Sequence, residues 1–201
     1  MACEGNGMSD ERIGEALIKE VIEEELREMP SEDVPPLTPL TNQVQSAQEQ
    51  KVVLELAKMI RIIGENLKDH KPLRDAIDGI QRAPGSNWDL FIQVANKVFD
   101  QGITWERIAL LFYVAGQLAV KLVEARLPQS VREVMQWTVD FFRNNLLGWI
   151  REHGGWISSF SELAAASMRS VSGFQIYGVL LIFVAGVALG SLVTIKFMQH
   201  K

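Results

Sequence analysis

The sequence predicts an all-α bundle wrapped around one hydrophobic central helix, with a C-terminal transmembrane anchor helix. Three observations carry this expectation. Apolar residues recur at helical spacing along most of the chain, with no strand alternation and no Asn-Gly hairpin turn in its body. Residues 108–120, IALLFYVAGQLAV, are apolar on nearly every side, the pattern of a helix buried all round. Residues 174–195 carry no charge and would rise roughly 33 Å as a helix, enough to cross a bilayer core of about 30 Å.

The elements follow in order. Residues 1–8 read as a flexible N-terminus. Ser9, followed by Asp10 and Glu11, reads as an N-cap with acids in the first turn. Ile13, Leu17, Val21 and Ile22 then mark one apolar face, and Glu20, Glu23, Glu24, Glu25 and Glu28 read as a solvated one. Pro30, Pro35, Pro36 and Pro39 make 29–46 a flexible loop. Val53, Leu56, Ile60, Ile63 and Leu67 then succeed one another at alternating steps of three and four, all on one stripe of a helix. Gly64 interrupts that helix at a cost of roughly 1 kcal/mol against alanine. Such a cost implies a neighbouring surface too close for a Cβ.

Two short segments follow, 72–80 and 87–99, the second with Trp88, Phe91, Val94, Ala95 and Val98 on one face. Thr104 caps the central helix. Its charge-free core, 108–120, is too short to span a bilayer and belongs in a water-soluble core. Leu127-Pro128 starts the next helix, with Val131, Val134, Met135, Thr138, Phe141 and Phe142 inward and Arg132, Asp140 and Arg143 outward. Gly148 and then Gly154-Gly155 punctuate two short helices. The bundle is thus expected over 9–171 and the anchor over 172–201. Phe174, Ile182, Gly186, Gly190 and Ile195 lie along the anchor, Arg169 before it and Lys196 and Lys201 behind it.

Composition narrows the function. The chain has 201 residues, is 47% hydrophobic and carries a net charge of −5, which fits one domain plus an anchor. The tail from Val171 holds two lysines and no acid, so the acidic balance lies in the body. An acidic body without a basic stripe is a poor nucleic-acid binder. Cys3 is the only cysteine, which excludes an intrachain disulfide and suits a reducing compartment. The first fifteen residues have neither a basic nor an apolar run, so nothing reads as a signal peptide. His70, His153 and His200 are scattered without metal-ligand spacing, and no glycine-rich phosphate loop or Gly-x-Ser-x-Gly elbow occurs. The carboxylates read as exposed. The expectation is a protein of surfaces: no enzyme, no cofactor, no metal.

Three local motifs carry a resemblance. Leu56, Ile60, Ile63, Gly64, Glu65 and Leu67 form a pattern similar to the third Bcl-2 homology motif. Thr104-Trp105-Glu106-Arg107, with Ile108-Ala109-Leu110-Leu111-Phe112 after it, resembles the first. Trp149-Ile150-Arg151-Glu152-His153-Gly154-Gly155-Trp156 resembles the second. Their order is that of the Bcl-2 family, and the tail anchor stands where the family places one. Residues 135–150 and 182–187 most resemble the family's pore-forming effectors.

The resemblance implies a Bcl-2-like bundle whose groove involves Val94, Val98, Trp105, Arg107 and Phe112. It implies a pro-apoptotic effector of cytoplasm and mitochondrial outer membrane. Such a protein exchanges its third-motif helix with a second copy, oligomerises, and permeabilises that membrane to intermembrane proteins such as cytochrome c. Implied partners are a homodimer and higher oligomer, other family members and outer-membrane lipids, with no nucleic acid. Two departures stand out: Glu106 replaces a common glycine, and Glu65 a common aspartate. Two alternatives share the motifs: an anti-apoptotic relative that sequesters partners, and a membrane-tethered adaptor without pore activity.

Overall fold

Where each helix can bury its apolar face decides the architecture. The computed structural model describes residues 4–30, 34, 37, 46–67, 69, 71–82 and 87–168. The anchor expected at 174–195, with His70 and His200, lies outside the described residues. Among the described residues no helix is long and apolar enough to cross a membrane, and none is a strand.

The helices are α1 (Glu4–Leu26), α2 (Ala47–Glu65), α3 (Lys71–Arg82), α4 (Asn87–Val98), α5 (Trp105–Glu124), α6 (Ser130–Phe141), α7 (Leu147–Glu152) and α8 (Gly155–Met168). One π-helical turn, Phe142–Leu146, joins α6 to α7. α5 is the centre: from Trp105 to Val123 most of its side chains are buried, and it touches α1, α2, α3, α4, α6 and α8. Thr104 caps it as expected, its hydroxyl accepting the Arg107 N–H at 3.3 Å. The inward residues expected of α6 are all buried.

Three expectations are corrected. α1 begins at Glu4, so Ser9 lies inside the helix and residues 1–8 are helical from there on. Gly5, Asn6 and Gly7 are weak helix formers, and their composition concealed this start. The Ser9 hydroxyl does not cap. It donates to the Glu49 carboxylate of α2 at 2.7 Å, which Arg12 also reaches at 3.0 Å. Second, Gly148 punctuates nothing: it sits within α7, with open space where a Cβ would stand, and the helix runs on through the π turn. That turn keeps Phe142 and Leu146 buried and seats the Phe142 ring on Gly14, where a Cβ would stand 2.2 Å from the ring. Third, not every carboxylate is exposed. Glu15 and Asp10 are buried. Glu15 is paired with Arg143, which also meets Glu11 at 3.3 Å. Of the expected loop 29–46, Leu37 is described and is buried against the core.

Candidate functional site

The third-motif helix is built to be buried. Ser46 caps α2 by accepting the Glu49 N–H at 3.1 Å, which fixes the helix start. Val53, Leu56, Ile60, Ile63 and Leu67 are each 5% exposed or less. Gly64 explains itself: a Cβ there would lie 2.1 Å from Cδ2 of Tyr113 on α5. The glycine lets α2 lie directly on the central helix, as its sequence cost implied. Glu65 follows on the exposed side.

The rim of this contact is charged. Arg61 pairs with Glu24 at 3.3 Å and with Glu28, tying α2 to the end of α1. Glu25, on the same stretch of α1, turns inward. Gln117 of α5 donates to its carboxylate at 2.6 Å, and its Cγ packs on Gly116, 2.8 Å from where a Cβ would be. Burial pushes the Glu25 carboxyl up to about 6; Arg61 opposes this, while Glu65 and Glu28 add to it. Burial also raises the Tyr113 hydroxyl, with help from Glu25, Glu65 and Asp69. Only part of the acid run of α1 is therefore a solvated face.

The residues named for the groove do not share one surface. Val94 and Val98 are buried on α4. Trp105 and Phe112, two helical turns apart, project from the same side of α5. Trp105 meets Trp149 edge-on with centroids 5.1 Å apart, and Trp156 at 5.6 Å. Phe112 meets Trp156 at 6.2 Å and Phe142 at 6.3 Å. These two belong to an aromatic cluster with the second motif. Arg107 sits across the helix from them, where its guanidinium donates to the Gly102 carbonyl at 2.6 Å and to Gln101 at 3.1 Å. Glu106 is half-buried beside it.

The second motif is anchored by its glycines. Gly154 and Gly155 have φ of +87° and +71°, a region costly for other residues. Together they turn the chain so that Trp156 enters the core. Its backbone N–H then donates to the Asp10 carboxylate at 3.2 Å and its indole N–H to the Asp10 carbonyl at 2.8 Å. A Cβ on Gly155 would lie 2.6 Å from that carboxylate. Burial raises the Asp10 carboxyl, and the Trp156 N–H and the Arg151 charge work against this. The sequence reading took Asp10 for a first-turn acid and missed this clamp, because its partner is 146 residues away.

A cavity of about 370 Å³ opens between α3 and α5, walled by Leu73, Ile77 and Asp78 on one side and Tyr113, Gln117 and Lys121 on the other.

Among the described residues no group of His, Cys, Asp or Glu is placed to hold a metal. The described residues thus present a buried amphipathic helix seated on an apolar one. The comparisons with known proteins supply the class. The model of the Bcl-2 family, apoptosis regulator proteins, matches residues 56–156. Apoptosis regulator BAX of Mus musculus is 32% identical over 198 residues, covering 96% of this chain and 94% of that protein. Bcl-2-like protein 1 of Homo sapiens is 32% identical over 136 residues, 65% of this chain and 58% of that protein. In structure, Trichoplax adhaerens trBcl-2L2 bound to trBak BH3 superposes with a TM-score of 0.57 at 21% identity, over 75% of this chain and 96% of that one. This chain belongs to the Bcl-2 family. It is a non-enzymatic apoptosis regulator with BAX-like relatives and the family's all-helical fold.

Proposed function

We propose that this chain is a pro-apoptotic effector: it rests in the cytoplasm, anchors in the mitochondrial outer membrane through 174–195, oligomerises there and permeabilises it. The observation that carries the reading is the similarity to BAX along nearly the whole chain, joined to an α2 stripe whose seat on α5 is shaped for a helix.

The seat makes exchange conceivable. Exposing five large apolar side chains costs roughly 1.5–3 kcal/mol each, so α2 cannot simply leave. It can leave if a like stripe takes its place. A second copy offers the same stripe, and mutual exchange gives a two-fold, isologous dimer. A helix from another family member fits the same logic, and the Trichoplax relative is seen with a BH3 partner. In such a complex Glu65 of the inserted helix pairs with Arg107 once that guanidinium releases Gly102 and Gln101.

A second reading has its own support. The similarity to Bcl-2-like protein 1 keeps open a guardian that sequesters partners; a tethered adaptor is the third. Dye release from liposomes of mitochondrial lipid composition, with and without an activating motif peptide, separates them. An effector releases dye, a guardian blocks release by another effector, and an adaptor does neither.

A further inference from the structure

The described residues leave the outer face of α8 uncovered. Ile157 is 70% exposed and Met168 84%. Three helical turns separate them, so they project from one side, roughly 16 Å apart along the axis. Ser161 and Ala164 lie between them, and half-buried Phe160 flanks them. No charge falls on this face. Glu162 is the only charged residue of α8, and it projects roughly 140° away. The outer face of α2 is unlike it: Leu54 and Ile62 there stand among Lys51, Glu55 and Lys58.

The chain itself limits what meets this face. Phe174, where the apolar span begins, is six residues beyond Met168, so at most about 20 Å of chain separates them. A helix tethered that closely to a spanning segment stays at the bilayer surface. We propose that, once 174–195 spans a bilayer, α8 lies in the headgroup region with Ile157, Phe160, Ala164 and Met168 turned into the lipid. The inference rests on the anchor reading above. A lipid surface fits better than a second copy. Two large side chains bracketing small ones cover far less than the about 800 Å² per partner that a stable protein interface buries. An interfacial helix needs only an apolar face and a nearby surface.

The test uses full-length chains with Cys3→Ser and one new cysteine: Ile157→Cys, Met168→Cys, Glu162→Cys or, in the anchor, Ile182→Cys. Each carries an environment-sensitive fluorophore. Vesicles contain phosphatidylcholine, phosphatidylethanolamine and cardiolipin, with or without nitroxide-labelled lipid. The expected result is a blue shift on vesicle binding and quenching by nitroxide lipid at 157, 168 and 182, and neither at 162. Quenching at 182 alone overturns the α8 contact and leaves the anchor standing. No quenching at 182 overturns the anchor reading and the inference with it. A blue shift at 157 and 168 before vesicles are added means that the tail covers the face. A shift on vesicles without lipid quenching means that a second copy does. Either result overturns the proposal.

Discussion

α2 and the α8 end of the bundle are both packed against α5, yet they are held in different ways. α2 is held by an apolar stripe, a glycine contact and a rim of ion pairs to α1. The start of α8 is held by directional hydrogen bonds from Trp156 to Asp10, which require two left-handed glycines. An apolar stripe is satisfied by any similar stripe, so under the proposed function α2 is the element that another helix replaces. The Trp156–Asp10 geometry accepts no substitute. Under the proposed exchange the difference separates the element that leaves from the one that stays, and substitutions test it.

The largest loss should come at the fixed end. Trp156 is 1% exposed and touches Trp105, Phe112 and Phe142. Trp156→Ala should cost about 3–5 kcal/mol in urea unfolding. Asp10→Ala, which removes only the carboxylate that accepts the Trp156 backbone N–H, should lose less. A Trp156→Ala loss under 1 kcal/mol would remove the clamp from the comparison.

Next comes the seat of α2. Gly64→Ala gains about 1 kcal/mol of helix propensity and forces a methyl into the Tyr113 ring. Overpacking costs typically 1–3 kcal/mol, occasionally more, so thermal unfolding should show a net loss. Tyr113→Ala in the same chain should restore tolerance of the alanine. If Gly64→Ala alone stabilises the protein, α2 does not rest on α5 this closely.

How much of this was legible follows from where each signal lies. The α2 stripe and the tight contact at Gly64 were readable because period and interruption are local. The Thr104 cap was readable for the same reason. The side of α5 that Phe112 occupies was not, since a helix apolar all round presents no distinguishing face. Asp10 looked like a first-turn acid because its partner is at the far end of the chain. The start of α1 was hidden by residues with low helix propensity. The cavity between α3 and α5 depends on how two helices diverge, and no single segment records that.

A smaller and pH-dependent effect should arise where the rim turns inward. The Glu25 carboxyl is raised from 4.5 to about 6 in the folded chain, so the folded state binds the proton more tightly. The stability it contributes is therefore fully present below about pH 4.5 and lost as pH rises through 6. At pH 7.5 the ionised carboxylate costs on the order of 1 kcal/mol, allowing for its partial exposure. Glu25→Gln should abolish that slope, match the wild type near pH 4.5 and exceed it at pH 7.5. Urea melts at the two pH values decide the matter; equal differences at both would mean that Glu25 is solvated.

The smallest effect tests whether the rim holds α2 at all. The Arg61 side chain is 36% exposed and that of Glu28 70%, and pairs that open to water contribute about 0–1 kcal/mol. Arg61→Gln should therefore lower stability by no more than about 1 kcal/mol, and 1 M salt should shrink the difference. Ile60→Ala, on the buried stripe of the same helix, should cost about 2–5 kcal/mol and be indifferent to salt. If burial holds α2 and the rim only orients it, that ordering must appear in both unfolding and peptide-exchange experiments. A motif peptide that displaces α2 should be helped strongly by Ile60→Ala and weakly by Arg61→Gln. The reverse order would make the ion pairs the latch, and activation would then depend on salt rather than on a matching apolar stripe.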